Sequence, residues 1–193
     1  MIGNTLIFFK RFFYGAFNKI QLKRKKVRWG KKLRINGLIR LYGRGEVLVG
    51  DNVKINSCES SNPIGGMTHC VLSVASNARL TIGNNVGISN AAIVCHKSIT
   101  IEDNVLIGGS VKIYDTDFHS LNYQLRGKGK KDIGNSKDVV IKKDAFIGAH
   151  TIILKGVTIG ERAIIGAGSV VTRDVGNDEI WAGNPIRKIR GKF

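Results

Sequence analysis

From residue 141 onward every sixth residue is aliphatic: Ile141, Ile147, Ile153, Ile159, Ile165 and Val171. Four residues after each stands something small or β-branched, namely Ala145, Thr151, Val157, Ala163, Ser169 and Val175. An upstream block repeats the pattern with Ile82, Ile88 and Val94, then Ile101, Ile107 and Ile113, with one residue inserted between Val94 and Ile101. Val49-Gly50-Asp51-Asn52-Val53 is a fainter, earlier copy. A period of six is neither the 3.6 of a helix nor the simple alternation of an antiparallel strand. It describes a triangular coil, with a short flat strand on each side and one aliphatic residue pointing inward per side. Small residues, glycine and asparagine turn the corners. Three hexads close one coil of about eighteen residues, and successive coils pair in parallel about 4.8 Å apart. Stability is then a chain of nearest-neighbour contacts between stacked aliphatics. The clean hexads account for about four coils, and residues 35–80 add one or two.

The hexads stop at Ile113 and resume at Ile141, an interval of 28 residues that is not a multiple of six. A loop, 114–140, must therefore leave the coil. It carries Asp115, Asp117, His119 and the basic cluster Arg126, Lys128, Lys130 and Lys131. A long loop on a rigid solenoid is a usual place for function.

The rest of the chain is read from charge and apolar spacing. The 193 residues suffice for one domain, with a net charge of +17. Eleven of the basic residues lie in residues 1–34, where no acid occurs. Ile2, Leu6, Phe9, Phe13, Phe17 and Ile20 recur there at helical spacing. Lys10, Arg11 and Lys19 interrupt the apolar run, so neither a membrane span nor a signal peptide fits. An amphipathic helix fits, lying on an anionic membrane surface or packed on its own domain or a neighbouring subunit. The expected organisation is a basic, aromatic helical segment at 1–34, a coil domain at 35–178 with the loop 114–140, and a capping tail at 179–193. Three cysteines, Cys58, Cys70 and Cys95, form no CxxC pair and suggest free thiols in a reducing, cytoplasmic compartment, and segment 1–34 adds a peripheral position at the inner face of a membrane as an expectation.

With Ile-Tyr-Asp-Thr-Asp-Phe-His-Ser at 113–120 and Trp-Ala-Gly-Asn-Pro-Ile-Arg at 181–187, the sequence resembles the hexapeptide-repeat acyltransferases. Within that family it is similar to polysaccharide-biosynthesis O-acetyltransferases and, more distantly, to galactoside and maltose acetyltransferases. The resemblance covers about Ile35 to Ile189. It implies an all-β fold, a left-handed parallel β-helix of about five to six triangular coils, although crossovers between parallel strands are usually right-handed. It also implies acetyl-CoA as co-substrate, no metal, and a homotrimer whose active sites lie between subunits. The acceptor would be a sugar hydroxyl, in surface polysaccharide assembly and on a lipid-linked carrier.

Acyl transfer from a thioester needs a base for the hydroxyl proton, and a neutral imidazole suits that near pH 7. The resemblance places this base at His119. Asp117 or Asp115 is close enough in sequence to orient it. Asn90 matches an asparagine that touches acceptor or oxyanion, and His96, with Asp115, falls near the acceptor. For the donor the matching residues are Ala149, Ala167, Thr172, Arg173 and Arg187, the two arginines meeting phosphate. Gly148, Gly166 and Gly168 would leave backbone exposed, and His150 would line the groove. Trp181 would stack on the adenine or seal the end of the coil.

Two other readings use the same coil. A non-catalytic module could hold anionic glycan or nucleic acid through the +17 charge, although no nucleic-acid motif is visible. A γ-class carbonic anhydrase needs three histidines around a metal, and the four present show no such spacing.

Overall fold

The computed structural model describes residues 2–191, with side chains from Phe13 onward. In it the period of six closes into a prism of six coils. The first coil is made of Arg28–Trp29, Arg34–Gly37 and Arg40–Gly43, and the sixth of Thr158–Ile159, Ile164–Ile165 and Val170–Val171. Each face is a sheet whose order follows the coils, with six strands on the first, eight on the second and six on the third. Within a face, successive rungs pair in parallel. The core is a column of isoleucines: Ile55, Ile88, Ile107, Ile147 and Ile165 pair in register up the second face, all buried.

The register departs from the simple period in one place. Val94 and its neighbours Ala92 and Ser98 point outward, while Ala91, Ile93 and Ile99 are fully buried. Ile93 pairs with Leu72 below and Ile113 above. The corner at Asn90 is one residue shorter than its counterparts: Ile88 and Ile93 are five apart where Ile107 and Ile113, and Ile147 and Ile153, are six apart, so the strand Ala92–Cys95 enters with the other parity. Adjacent Ile93 and Val94 both suit an inward position, and hydrophobic pattern alone does not choose between them.

The edge between first and second faces explains the recurrent asparagines. Asn52, Asn85 and Asn104 adopt φ of 59°, 56° and 60°, a region Asn tolerates better than most residues. Their side chains form a ladder, Asn52 Nδ2 donating to Asn85 Oδ1 at 2.9 Å and Asn85 Nδ2 to Asn104 Oδ1 at 3.0 Å. Asn104 Nδ2 continues it to Asp144 Oδ1 at 2.8 Å.

Both ends of the prism are covered. Helix α1, Ile2–Arg24, ends just before the first strand at Arg28, so the coil begins ahead of residue 35. Asn18 Nδ2 donates to Gly37 O at 2.8 Å, Gln21 Nε2 donates to Ile39 O at 3.1 Å, and Leu22 is buried in the core. The expected apolar face is turned the other way. Phe13 is 64%, Phe17 47% and Ile20 55% exposed; the side chains of Ile2, Leu6 and Phe9 lie outside the described residues. At the other end Glu179–Ala182 extends the second face in parallel, and Arg187–Gly191 folds back on it antiparallel. Two segments leave the coil. Residues 58–70 depart from the edge between second and third faces, and residues 115–138 from the edge between third and first.

Candidate active site

The chain of contacts around His119 begins at Asp115, the last residue before the long loop. Asp115 is fully buried, and its carboxylate accepts from the backbone N–H groups of His96, Lys97 and Ser98 at 2.7–2.9 Å. It pins the loop base to the coil below, so the expected role in acceptor binding is corrected: no face of it is open. Asp117 does not reach the imidazole. Its Oδ2 lies 3.1 Å from Lys155 Nζ, which ties the loop to the coil above. The loop returns beside its own start, with Thr116 bridged to Ser136.

The carboxylate on His119 is Asp132, not Asp117 or Asp115. His119 Nδ1 lies 2.7 Å from Asp132 Oδ2. The same carboxylate accepts from Ser120 N at 2.6 Å and Gly127 N at 2.8 Å. These two N–H groups, with His119, pull its pKa from 3.8 down to about 2. An ionised carboxylate only accepts, so Nδ1 carries a proton, and the neutral ring in that tautomer has its lone pair on Nε2. The imidazole is 67% exposed and the Asp132 side chain 7%. Arg126 braces the turn by donating to the carbonyls of Ser120 and Leu121. Asp132 is the one carboxylate between Asp117 and Asp138 in a basic stretch. That isolation was the available signal, since no period places loop residues.

His96 is exposed on the same edge, where Phe118 packs edge-on between its ring, centroids 6.1 Å apart, and that of Tyr114 at 5.2 Å. Phe118 itself holds φ 66°. A bulky residue kept in the left-handed region beside His119 is the kind of strain that tight sites retain.

Asn90 lies elsewhere. It stands before the third-face strand Ala92–Cys95 and His96 stands after it, so about 20 Å of extended chain separates them. Asn90 is 2% exposed and meets the other insertion. Its Nδ2 donates to Gly66 O at 3.2 Å and Thr68 O at 2.9 Å, while its Oδ1 is buried without a partner. Gly65 lies so close that an added Cβ would sit 2.4 Å from that of Asn90. With both amide protons engaged, Asn90 cannot donate to an oxyanion; what it offers is an acceptor.

The donor candidates divide between the same two edges. Asn90, Ser110, His150 and Gly168 turn the edge between second and third faces, all at positive φ. Ala149 and Ala167 stand beside them, and Ala167, Gly168 and His150 are exposed. Gly168 has open space where a Cβ would go, so backbone is accessible there. Gly148 and Gly166 have another reason to be glycine. A Cβ on Gly148 would meet Ala167 N at 2.5 Å, and one on Gly166 the Ala182 Cβ at 2.8 Å, so they permit stacking of coils. Thr172 and Arg173 are exposed across the third face, and Arg187 is exposed on the last strand. Trp181 pairs in register with buried Ile165, packs on the core and donates Nε1 to Glu179 at 2.7 Å. It lies half-buried at the end of the coil.

Among the described residues no group of three His, Cys, Asp or Glu is placed to hold a metal ion, so the arrangement lends nothing to the carbonic anhydrase alternative. No helix among them is long and apolar enough to cross a membrane. Cys70 and Cys95 are buried, which pushes their thiols up to about 12 and leaves them unreactive.

Residues 138–173 match the family described as bacterial transferase hexapeptide (six repeats). The galactoside O-acetyltransferase of Escherichia coli strain K12 is 39% identical over 114 residues, covering 58% of this chain and 54% of that protein. The chain thus spans about half the length of the curated relatives it matches; for the galactoside O-acetyltransferase of Lactococcus lactis the share is 44%, at 35% identity over half of this chain. Among solved structures, an N-acyltransferase mutant from Bacillus cereus, in complex with dTDP-4-amino-4,6-dideoxyglucose and coenzyme A, is similar over 91% of this chain and 89% of its own. Its TM-score is 0.73 and its identity 26%. A hexapeptide-repeat acetyltransferase from Vibrio cholerae, complexed with acetyl coenzyme A, covers 92% of this chain and 78% of its own, with TM-score 0.61 and 27% identity. The fold is the left-handed parallel β-helix of these hexapeptide-repeat proteins.

Proposed function

We propose that this hexapeptide-repeat chain transfers an acetyl group from acetyl-CoA to a sugar hydroxyl, with His119 as general base. The observation that carries the reading is the His119–Asp132 pair, which leaves an exposed Nε2 lone pair on a rigid edge. The acceptor oxygen attacks the thioester carbonyl as Nε2 takes its proton. The tetrahedral adduct then collapses, the C–S bond breaks, and the proton passes to the departing coenzyme A sulfur. Relatives named as galactoside O-acetyltransferases and a neighbour bound to acetyl coenzyme A support this assignment.

The base and the Asn90 carbonyl stand on different edges, which argues that the site is completed between copies of the chain in a homotrimer. Apolar side chains favour such an assembly. Leu106 and Phe146 are 53% and 45% exposed and paired up the second face, and Leu121, Tyr123 and Ile133 at the loop tip are 74–78% exposed. Co-expressing equal amounts of His119→Ala and Asn90→Ala chains should restore activity at about a quarter of the interfaces. Mixed trimers as inactive as either parent would place both groups in one chain's site.

Residues 58–70, which cover the Asn90 amide through Gly66 O and Thr68 O, form part of the acceptor subsite. Gly65→Ala should therefore raise KM for the acceptor about tenfold with KM for acetyl-CoA little changed. Equal change in both would make the segment a general structural element. The donor lies along Ala149, Ala167 and Gly168, with Arg173 and Arg187 for its phosphates.

The wider setting is surface polysaccharide synthesis on a lipid-linked acceptor, at the cytoplasmic face of a membrane touched by α1. The exposure of Phe17 and Ile20 on the helix supports that placement. Phe13→Ser/Phe17→Ser should lower binding to anionic vesicles; undiminished binding would remove the aromatic side of α1 as the contact, and no binding by the parent would remove the membrane from the account.

A second acceptor class is favoured by the Bacillus cereus neighbour, whose ligand is an amino-sugar nucleotide. A free amine in place of the hydroxyl uses the same base and gives an amide. Thiol release from acetyl-CoA, measured across glycans and sugar nucleotides with and without an amino group, separates the two. No turnover with any of them, together with no acetyl-CoA binding, would return the protein to the class of binding modules.

A further inference from the structure

We propose that the groove between the end of α1 and the third-to-first edge of the lowest coils binds the phosphate of an anionic phospholipid headgroup. This rests on the membrane placement of α1 proposed above and specifies what holds it there. The groove measures about 800 Å³ and is lined by Arg24, Lys25, Lys26, Arg28 and Arg44. Glu46 is the one acid in its lining, and two arginines already claim it: Arg28 on Oε1, and Arg79 on Oε2 at 2.6 Å. Lys25 Nζ donates to Gly43 O at 2.7 Å. Arg24, Lys26 and Arg44 have no carboxylate partner among the described residues.

Cations gathered this closely repel one another, and an anion in their midst reverses the sign of the field. Arginine presents a planar fork that matches phosphate oxygens in pairs. Phe17 also lines the groove and leads onto exposed Phe13 and Ile20 on the same helix. A phosphate free in solution has no use for those rings. A lipid does, because rings beside cations suit the boundary between headgroups and acyl chains. The placement also bears on the chemistry. The His119 loop leaves the same edge three rungs higher, about 14 Å along the coil axis.

The test compares the full chain with Arg24→Gln/Lys26→Gln/Arg44→Gln and with Lys128→Gln/Lys130→Gln/Lys131→Gln, which removes equal charge elsewhere. Each is titrated with vesicles of phosphatidylcholine alone and of phosphatidylcholine mixed with phosphatidylglycerol. The groove variant should bind the anionic vesicles about tenfold or more weakly, the loop variant within about twofold of the parent. Millimolar glycerol phosphate should not displace the parent protein. Equal losses in both triple variants, or none in the groove variant, would overturn the site. Displacement by glycerol phosphate would overturn the lipid as its ligand. The Phe13→Ser/Phe17→Ser protein separates the two layers of argument. If it releases the vesicles and the groove variant does not, only the groove assignment falls; if it stays bound, the aromatic side of α1 is not the membrane contact; and if the parent binds neither kind of vesicle, the membrane placement itself falls.

Discussion

His119→Ala is expected to lower acetyl-CoA turnover by about 10²–10⁴-fold, the range over which a positioned base contributes. The fall should appear in kcat, with the affinity for acetyl-CoA and the size of the assembly unchanged. Structure gives a reason to expect a clean result. The imidazole is 67% exposed, and its one polar contact among the described residues is the bond to Asp132, so the substitution leaves no cavity. Thermal unfolding should shift little, whereas substitution in the isoleucine column would shift it strongly. A variant that retains parental turnover in the presence of its best acceptor would take the base away from this residue, and the mechanism with it.

Asp132→Asn is expected to cost about 10²-fold in kcat, because a group that fixes a catalytic histidine's tautomer acts nearly as strongly as the histidine. The amide keeps the shape of the carboxylate but cannot accept from Ser120 N, Gly127 N and His119 Nδ1 as an anion does. Its NH₂ must face a donor, or the ring must turn over. The pH dependence follows from the same contacts. Two backbone N–H groups and His119 lower the folded pKa to about 2 from 3.8. The ordering that Asp132 gives the loop is therefore complete above pH 4 and fades as pH falls toward 2. Amide exchange at Ser120 and Gly127 would show that loss in the parent, while the Asn variant should exchange faster throughout. Matching protection in both proteins at pH 7 would mean that the loop is held by other contacts.

Legibility from the sequence followed repetition. Wherever six-residue spacing holds, as from Ile141 to Val171, the inward positions are read directly, because each is buried against its own copy one rung away. Where two aliphatics adjoin, at Ile93 and Val94, the period admits both parities, and a corner one residue shorter between Ile88 and Ile93 decides. Loop contacts have no period at all. His119 was visible through its motif, but the carboxylate it uses lies 13 residues on, beyond the nearer Asp115 and Asp117. Those two are spent on Ser98 and its neighbours and on Lys155. The separation of Asn90 from His119 was equally hidden, since which edge a residue occupies depends on counting faces through an irregular coil. Glycines misled for a simpler reason. Gly148 suits close approach, and what approaches is the backbone of Ala167.

The caps at the two ends bear on solubility. A stack of parallel rungs has no inherent last member, and a bare terminal rung is a template for another chain. Asn18 and Gln21 occupy carbonyls of the first coil from above a helix that offers no strand edge, while the antiparallel Arg187–Gly191 and its cations end the eight-stranded face. Trimming either terminus would leave a growing tip, and head-to-tail filaments rather than simple unfolding are the failure such a truncated protein should display.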